Sequence, residues 1–393
     1  MDGSLASGSL VVTAAGEKAA RNRHHWIFSG AVAKWPEAEN GSTVAVLSQS
    51  GEHLGYAYFN RRCSLCARML SFDRTLPLDA VRRSLASALE LRKRLLGGRT
   101  DAYRVCNGEA DGVPGLVLDR YAGVAVMQIG TLGLERLRGE LVGIIDELLA
   151  PEALFERSDA PSRGEEGLEP AQGWRSGSPQ AELGIREDGM RFLVRPEESQ
   201  KTGFYLDQRE MRGLVRSLAP GRRVLDCFSY TGGFSVAALW GGALQVELVD
   251  SSAAALGGAR ANLELNGLAD RRAELHREDC FRFLRERGLD FDLMILDPPP
   301  FARRKQDVGG ALRGYREINR LAMEKAPPGA LLLSFSCSYH VGPELFQTVL
   351  FQAARDARRG VRILERHRLA ADHPVNIFHP ETEYLKGMLL EIS

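Results

Sequence analysis

The stretch RRVLDCFSYTGGFSVAALWGG, residues 222–242, decides the fold of this chain. It reads as an apolar strand, a glycine-containing loop and an apolar helix, and strands and helices keep alternating to residue 393. Strands that are apolar along their whole length, separated by amphipathic helices, are typical of a parallel sheet buried on both faces. We therefore predict a doubly wound α/β fold whose ligands bind beyond the carboxyl ends of the strands.

Acidic residues stand where three successive strands are expected to end. Asp226 begins the glycine loop, which lacks the GxGxxG spacing of dinucleotide sites. A carboxylate there would repel a pyrophosphate but attract the cationic methionine part of S-adenosylmethionine. Asp250 lies close to the ~20-residue offset of an acid that binds ribose hydroxyls, and Asp279 either reads the adenine amino group or caps the next helix. Together these acids favour S-adenosylmethionine over NAD.

The fourth strand ends in DPPPF, residues 297–301. Proline fixes the backbone and removes amide donors, so Asp297 and the neighbouring carbonyls can accept hydrogen bonds from the exocyclic amine of a base. Residues 302–305 (ARRK) form a cationic loop that suits substrate phosphates. The alternative is a rigid turn that has no binding role.

The fifth strand ends in Ser336, Cys337 and Ser338. Carbon 5 of cytosine is a poor nucleophile until a thiolate adds to carbon 6, and a thiol at this edge of the sheet would reach the same substrate as Asp297. Cys337 is therefore the candidate catalytic nucleophile, with Asp297 as the second catalytic residue. A small buried hydrophobic residue is the ordinary alternative for a lone cysteine. His340 is a candidate base, with a structural or solvent-facing role as the alternative.

The amino-terminal half has a different pattern. Short alternating segments within residues 9–73 predict a small all-β domain, residues 77–97 a helix, and residues 105–149 a small α/β unit. Residues 159–184 are rich in glycine, serine, proline and glutamate, so we expect a linker or exposed loop there. The all-β part mixes cations with an aromatic residue, which suits RNA, although a solvated barrel surface would look the same. These residues are Lys18, Arg21, Arg23, His24, His25, Trp26, Arg61, Arg62, Arg68 and Arg74.

The composition is that of an ordinary folded protein of two or three domains, with 393 residues, 44% apolar and 26% charged. We find no run of about 18 apolar residues and no secretory pattern, and we expect a cytoplasmic protein without membrane contact. The formal net charge is zero but unevenly spread: residues 1–110 carry +5, residues 111–190 carry −8 and residues 191–393 carry +3. A polyanion such as RNA could bind the two basic ends; ordinary solvated faces are the alternative.

Other cysteines and histidines give weaker signals. Residues 63–66 (CSLC) have the spacing of a zinc ligand pair, but no second pair follows, and we expect no metal. Cys227 and Cys280 are expected to pack beside the cofactor loop as reduced, unreactive thiols. His373 and His379 are similar to His340: each is a candidate base, with a structural or solvent-facing role as the alternative.

Several stretches together resemble the bacterial 23S ribosomal RNA cytosine-5 methyltransferase family often called RlmI. They are KTGFYLDQR (201–209), DCFSYTGGF (226–234), DPPPF (297–301), SFSCS (334–338), DHPV (372–375) and EYLKG (383–387), and the likeness continues through residues 108–112 to nearly the whole chain. The resemblance implies three domains. These are a PUA-like RNA-binding domain at residues 1–74, a central α/β domain with a linker at 75–186, and a Rossmann-like class I methyltransferase domain with a seven-stranded sheet at 187–393.

The resemblance also implies the roles of individual residues. Cys337 would form a covalent adduct with a cytosine of 23S ribosomal RNA, and the protein would be a homodimer. S-adenosylmethionine would contact Tyr205, Gln208, Arg209, Asp226, Phe228, Ser229, Tyr230, Thr231, Gly232, Asp250, Asp279 and Asp297. Related enzymes carry a second cysteine after Asp-Pro-Pro, where this chain has Pro300 and Phe301, so another base must assist product release. Two alternatives stay open: methylation of an exocyclic amino group, and a non-catalytic RNA-binding protein.

Overall fold

The computed structural model describes residues 7–198, 202–270, 272–302, 304–367 and 369–393. The chain divides into two compact units. The first unit comprises Met1–Ile185, Val194–Leu206 and Ala371–Thr382, and the second comprises Arg186–Leu193, Asp207–Ala370 and Glu383–Ser393. Within the described residues, no helix is both long and apolar enough to span a membrane.

The first unit begins with a six-stranded sheet in the order β2-β6-β5-β4-β1-β3. Its elements are β1 (Ser9–Val12), α1 (Ala14–Arg21), β2 (Trp26–Phe28), β3 (Val32–Lys34), β4 (Thr43–Leu47), β5 (His53–Phe59) and β6 (Leu65–Ser71). The alternating segments at residues 9–15, 42–48, 53–60 and 63–71, on which the prediction of an all-β domain rests, are confirmed as strands β1, β4, β5 and β6. Helix α1 is an addition to the expected all-β pattern, and it starts because the Thr13 side chain accepts a hydrogen bond from the Gly16 amide.

A second sheet of the first unit has the order β11-β10-β9-β8-β7. Its elements follow the predicted helix, which is confirmed as α2 (Pro77–Leu96). They are β7 (Ala102–Asn107), β8 (Leu116–Tyr121), β9 (Val124–Ile129), α3 (Leu132–Arg136), α4 (Arg138–Leu149), β10 (Ala153–Ser158) and β11 (Ala171–Gly177). Proline at the first position of α2 and a left-handed Gly97 (φ +51°) at its end define the helix.

The expectation of a linker or exposed loop at residues 159–184 was wrong in part, because β11 lies inside it and pairs antiparallel with β10. Trp174 of this edge strand packs on Phe155, with ring centroids 5.0 Å apart. The polar residues of the segment are partly internal: Arg163 is buried and donates to the Glu169 carbonyl oxygen at 2.8 Å. Low apolar content therefore reflects paired polar groups rather than a lack of structure.

A two-stranded sheet of β12 (Leu183–Glu187) and β13 (Met190–Val194) precedes the seven-stranded sheet of the second unit. The elements of the second unit are α5 (Arg209–Leu218), β14 (Arg223–Cys227), α6 (Gly233–Trp240), β15 (Gln245–Asp250), α7 (Ala253–Leu265), β16 (Ala273–Arg277), α8 (Cys280–Glu286), β17 (Leu293–Leu296), α9 (Val308–Lys325), β18 (Ala330–Ser336), α10 (Pro343–Ala357), β19 (Val361–His367) and β20 (Lys386–Ile392).

The seven strands lie in the order β16-β15-β14-β17-β18-β20-β19, which confirms the predicted doubly wound sheet. Strands β14 to β18 are parallel, and β20 runs antiparallel between β18 and β19. The order reverses between β14 and β17, so a crevice for ligands is expected beyond the carboxyl ends of these strands. Cys227 and Cys280 are buried in the core of this unit, as predicted.

Candidate active site

The loop between β14 and α6 has an unusual backbone. Phe228 (φ +61°), Tyr230 (φ +47°) and Gly232 (φ +73°) adopt the left-handed conformation within five consecutive residues. Residues other than glycine in this region cost roughly 1 kcal/mol or more, and such strain is concentrated at functional sites. A Cβ atom at position 232 would lie 3.0 Å from the Cβ of Ala259, a tight contact, and the positive φ also favours glycine there. The loop is a tightly bent platform at the start of α6.

Backbone and side-chain hydrogen bonds hold this loop. Asp250 accepts the Tyr230 amide at 3.0 Å with one carboxylate oxygen and the Ser252 amide at 2.8 Å with the other. The Asn262 side chain donates to the Thr231 carbonyl at 2.8 Å. Asp250 therefore lies beside the loop, as its predicted role requires, and it also fixes the loop backbone.

Asp226 is fully buried at the end of β14. The Ser235 hydroxyl donates to one of its oxygens at 2.6 Å. Among the described residues, the other oxygen and the buried Ser229 hydroxyl have no hydrogen-bond partner. Burial raises the pKa of Asp226 to about 7, and the charges of Asp297 and Asp250 act in the same direction. Orphaned buried polar atoms beside clustered carboxylates fit a cationic, hydrogen-bonding cofactor.

Asp279 caps the start of α8, which is the alternative to adenine contact that the sequence left open. It is exposed at the N-cap of α8 and accepts a hydrogen bond from the Arg282 amide at 3.0 Å. The cap accounts for an acid at this position without a ligand. Contact with adenine stays a prediction for Asp279.

The residues before α5 are divided between the two units. Tyr205 belongs to the first unit, and Lys201, in the KTGFYLDQR stretch, lies outside the described residues. Gln208 is buried in the second unit and donates through its side-chain amide to Asp297 at 3.0 Å. The side-chain amide oxygen of Gln208 (Oε1) has no hydrogen-bond partner among the described residues. Gln208 therefore orients Asp297 and retains an acceptor for a ligand.

Arg209 takes part in an internal group of charges. Its buried guanidinium lies 3.4 Å from Glu187, which also accepts two hydrogen bonds of 2.6 Å from Arg212. This ion pair gives Arg209 a structural function that the sequence did not reveal. Its contact with the cofactor stays a prediction.

Cys337 lies against the Asp-Pro-Pro segment. The half-buried thiol is 3.7 Å from the Pro298 carbonyl oxygen, a contact between the turn after β18 and the loop after β17. Ser338 ties the two together, because its hydroxyl accepts the Ala302 amide at 3.2 Å and lies 2.9 Å from the Tyr315 hydroxyl. The two predicted catalytic segments are thus brought together. Arg303 of the cationic loop lies outside the described residues.

Lys386 is a residue of this site that sequence reasoning missed. It is buried at the start of β20, and its ammonium group donates to the carbonyl oxygens of Ser338 and Tyr384, both at 2.7 Å. Burial lowers its pKa to about 8, while the neighbouring Cys337 acts to raise it. The available signal was the single lysine at the start of the apolar stretch KGMLLEI. A lysine that is buried with such a strand needs partners for its charge.

Several weaker candidates are now placed. His373 and His379 are buried in the first unit, so the solvent-facing alternative was wrong for both. His340 is half-buried, with its ring 5.2 Å from that of Tyr339. Burial raises the pKa of Cys63 to about 11, and that of Cys66 likewise to about 11.

The first unit contains a cavity of about 870 Å³. Its lining includes Arg21, Arg23 and His25, which belong to the group of residues that the sequence indicated for RNA contact. Arg23 contributes to it, with its guanidinium 5.9 Å from the ring centroid of Phe72 and 5.8 Å from that of Phe378. Arg68 differs from the expectation for this group, because it is largely buried and pairs with Glu166. The cavity combines positive charge with aromatic rings, as a nucleic-acid contact would.

Comparison with family models divides the chain into two matching parts. Residues 166–380 match the model of S-adenosylmethionine-dependent methyltransferases, and residues 10–72 match that of a PUA-like domain. Curated relatives extend over nearly the full length. Ribosomal RNA large subunit methyltransferase I of Erwinia tasmaniensis is 43% identical over 98% of this chain and 99% of its own. The protein of the same name from Escherichia coli is 41% identical, with the same coverage.

Solved structures show the same architecture. One described as an S-adenosylmethionine-dependent methyltransferase from Streptococcus mutans has a TM-score of 0.83 at 22% identity, and covers 98% of this chain and 99% of that one. A second, a methyltransferase complexed with SAH, has a TM-score of 0.85 at 23% identity and the same coverage. At this level of identity the likeness concerns the fold, and it confirms the predicted Rossmann-like sheet with an amino-terminal β domain.

Proposed function

This chain belongs to the S-adenosylmethionine-dependent methyltransferase family, together with the ribosomal RNA large subunit methyltransferase I proteins, and we propose that it methylates carbon 5 of a cytosine in large-subunit ribosomal RNA. The cofactor is S-adenosylmethionine, as predicted. The observation that supports carbon 5 over other positions is the Cys337 thiol, 3.7 Å from the Pro298 carbonyl oxygen at the edge of the sheet. The substrate is RNA, and we place its modification in the cytoplasm.

The loop after β14 has the groups to hold the cofactor. Bound S-adenosylmethionine supplies an electrophilic methyl group on a sulfonium. Asp226 offers a buried carboxylate oxygen to its positive charges, and the Ser229 hydroxyl offers a further hydrogen bond. Asp250 lies where a ribose would be recognised, beside the Tyr230 amide that it already accepts. We propose the same set of cofactor residues that the sequence indicated, with Gln208 acting through Asp297.

The thiol and the Asp-Pro-Pro loop would divide the chemistry. The Cys337 thiolate would add to carbon 6 of the cytosine, forming a sulfur–carbon bond and making carbon 5 nucleophilic. Carbon 5 would then take the methyl group as its bond to the sulfonium sulfur breaks, leaving S-adenosylhomocysteine. Loss of the carbon 5 proton to a base breaks the sulfur–carbon bond and releases the product. Asp297 and the Pro298 carbonyl accept hydrogen bonds from the exocyclic amine and hold the ring in place.

The same loop supports a second function, methylation of that exocyclic amine. Its support is that Asp297 and Pro298 present acceptors where an amine would bind, without help from a thiol. The Cys337 thiol, 3.7 Å from the Pro298 carbonyl oxygen, has no part in methylation of an amine but is required for methylation at carbon 5. We therefore prefer carbon 5.

The first unit would contribute RNA binding. The PUA-like match covers residues 10–72, and the cavity with Arg23, Phe72 and Phe378 lies within that unit. We also propose that the chain has three domains, at residues 1–74, 75–186 and 187–393. The protein is proposed to form a homodimer.

Product analysis tests the proposed function. Protein, S-adenosylmethionine and protein-free 23S ribosomal RNA are incubated, and the modified nucleoside is identified by mass spectrometry. We expect 5-methylcytidine from the parent and from Cys63→Ala, a matched control because Cys63 is also half-buried, and none from Cys337→Ala. A cytidine methylated on its amino group, or 5-methylcytidine from Cys337→Ala, would contradict the mechanism.

A further inference from the structure

Lys386 lies beside the turn that bears the proposed nucleophile. In the antiparallel pairing of β18 with β20, Lys386 stands opposite Ser336, the residue before Cys337. Its ammonium group donates to the carbonyl oxygen of Ser338, the residue after Cys337, at 2.7 Å. The side chain is buried, with 5% of its surface exposed. Lys386 is thus linked to both neighbours of Cys337. It pairs with Ser336 in the sheet, and its ammonium group donates a hydrogen bond to Ser338.

We propose that Lys386 is a positioning residue, which fixes the turn after β18 through the Ser338 carbonyl and supplies the positive charge that stabilises the Cys337 thiolate. This inference rests on the proposed covalent function of Cys337. It names the group that activates a thiol which would otherwise be protonated near neutral pH, since an unperturbed cysteine has a pKa of about 8.5.

The charge balance around the ammonium favours this role. A lysine ammonium has three donors, and two of them are used by the carbonyl oxygens of Ser338 and Tyr384. The third can be directed to the thiolate. Burial lowers the pKa of Lys386 to about 8, and Cys337 and Glu383 oppose that shift, so the group is still largely protonated at pH 7. A buried cation is costly unless anions lie near it, and the Cys337 thiolate would supply one in addition to Glu383.

Other titratable groups face the same place. Tyr315 of α9 lies 2.9 Å from the Ser338 hydroxyl, and burial raises its pKa, so it is neutral. Glu383 precedes β20, and His367 of β19 pairs with Gly387, where burial lowers the pKa of the histidine. A neutral tyrosine, a neutral histidine and a carboxylate do not stabilise a thiolate by charge. Lys386 is the cation in this set.

The test measures the thiol directly. Cys337 is alkylated with iodoacetamide over a range of pH, and the modified peptide is quantified by mass spectrometry in the parent, Lys386→Met and Lys386→Arg. Cationic neighbours lower a thiol pKa by about 1–3 units, so we expect alkylation of Cys337 at pH 7 to be about tenfold slower or more in Lys386→Met. The arginine variant keeps the charge and should stay near the parent. Cys63 serves as the internal control and should not change.

Two further variants make the result decisive. Lys325 at the end of α9 also donates to two backbone carbonyls, so Lys325→Met removes a comparable lysine without touching the turn. SAH binding, measured by calorimetry, reports whether each variant is folded, and Lys386→Gln replaces Lys386→Met should the latter fail to bind. Equal Cys337 alkylation in the parent and in the folded uncharged variant would overturn the inference. So would equal slowing by Lys325→Met.

This outcome is separate from that of the proposed function. Formation of 5-methylcytidine without Cys337 would end the covalent mechanism whatever the alkylation rates are. A Cys337 thiol indifferent to Lys386 would end the inference even where Cys337 is essential.

Discussion

The loop after β14 and the turn after β18 lie at the same edge of one sheet, yet they are held in different ways. The loop is fixed by residues of the next strand and helix along the chain, with Asp250 accepting the Tyr230 amide and Asn262 donating to the Thr231 carbonyl. The turn is fixed by Lys386, nearly 50 residues further along the chain, which donates to the Ser338 carbonyl. The loop collects carboxylates and suits a cation, whereas the turn combines a thiol with a buried ammonium group.

This difference predicts that the two places can be damaged independently. Changes in the loop should weaken cofactor binding, and changes in the turn should slow the reaction while the cofactor still binds. Because the loop and the turn share no side chain in the contacts described above, their effects should be roughly additive.

Cys337→Ala should have the largest effect. We expect methyl transfer to fall at least about 1,000-fold, since loss of a catalytic nucleophile removes the covalent route. The dissociation constant of SAH, measured by calorimetry, should stay within about twofold of the parent, because the loop after β14 is untouched. A weakened affinity for SAH in this variant would show that the turn is part of the cofactor site and would break the comparison.

Asp226→Asn should act in the opposite manner. The substitution keeps the size of the side chain and removes the buried charge, so affinity for S-adenosylmethionine should fall about 100-fold, the loss expected for a buried charge-assisted hydrogen bond. Equilibrium dialysis measures the affinity. Alkylation of Cys337 by iodoacetamide should proceed at the parent's rate. Unchanged affinity would remove Asp226 from the cofactor site.

The same carboxyl group gives a pH dependence. Burial raises the pKa of Asp226 to about 7, so the group gains a proton as the pH falls below that value and loses the charge that a cationic cofactor needs. Affinity for S-adenosylmethionine should therefore fall about tenfold between about pH 7.5 and pH 6, and Asp226→Asn should show no such fall. Titration calorimetry at several pH values tests this. An equal fall in Asp226→Asn would assign the effect to another group.

Substitutions of Asp279 should have the smallest effect, and they distinguish its role as a helix cap from its predicted contact with adenine. Asp279→Ala removes the N-cap of α8 and should lower stability by about 1 kcal/mol, whereas Asp279→Ser keeps a capping hydroxyl and should restore most of it. If the carboxylate also binds adenine, both variants should bind SAH about fivefold more weakly. Thermal unfolding and calorimetry give the two values. Full affinity in Asp279→Ser would reduce Asp279 to a helix cap.

Much of the second unit could be predicted because its signals are local. The central strands β14, β17 and β18 are mostly apolar, and Asp226, Asp250 and Asp297 lie at or directly after strand ends, so topology alone brings them to one edge. The pattern of acids and glycines was sufficient to choose S-adenosylmethionine. The conformation of Phe228 and Tyr230 was not predictable, because only the packed loop imposes a positive φ on them.

The features that were missed depend on distant contacts. Strand β11 has a single large apolar residue, Trp174, which packs on Phe155, so hydrophobic periodicity gives no signal. Lys386 and Arg68 read as ordinary surface cations until folding buries them against Ser338 and Glu166. Long-range pairing of polar groups leaves no pattern in a single sequence.

Trapping the covalent adduct tests the central claim most directly. RNA that contains 5-fluorocytidine is incubated with the protein and S-adenosylmethionine, and the digested protein is analysed by mass spectrometry. Fluorine at carbon 5 cannot leave as a proton, so the sulfur–carbon bond cannot break. We predict a methylated, fluorinated nucleotide attached to the peptide that contains Cys337, and none in Cys337→Ala. Methylation of ordinary RNA with no such adduct, or an adduct on a different residue, would contradict the mechanism.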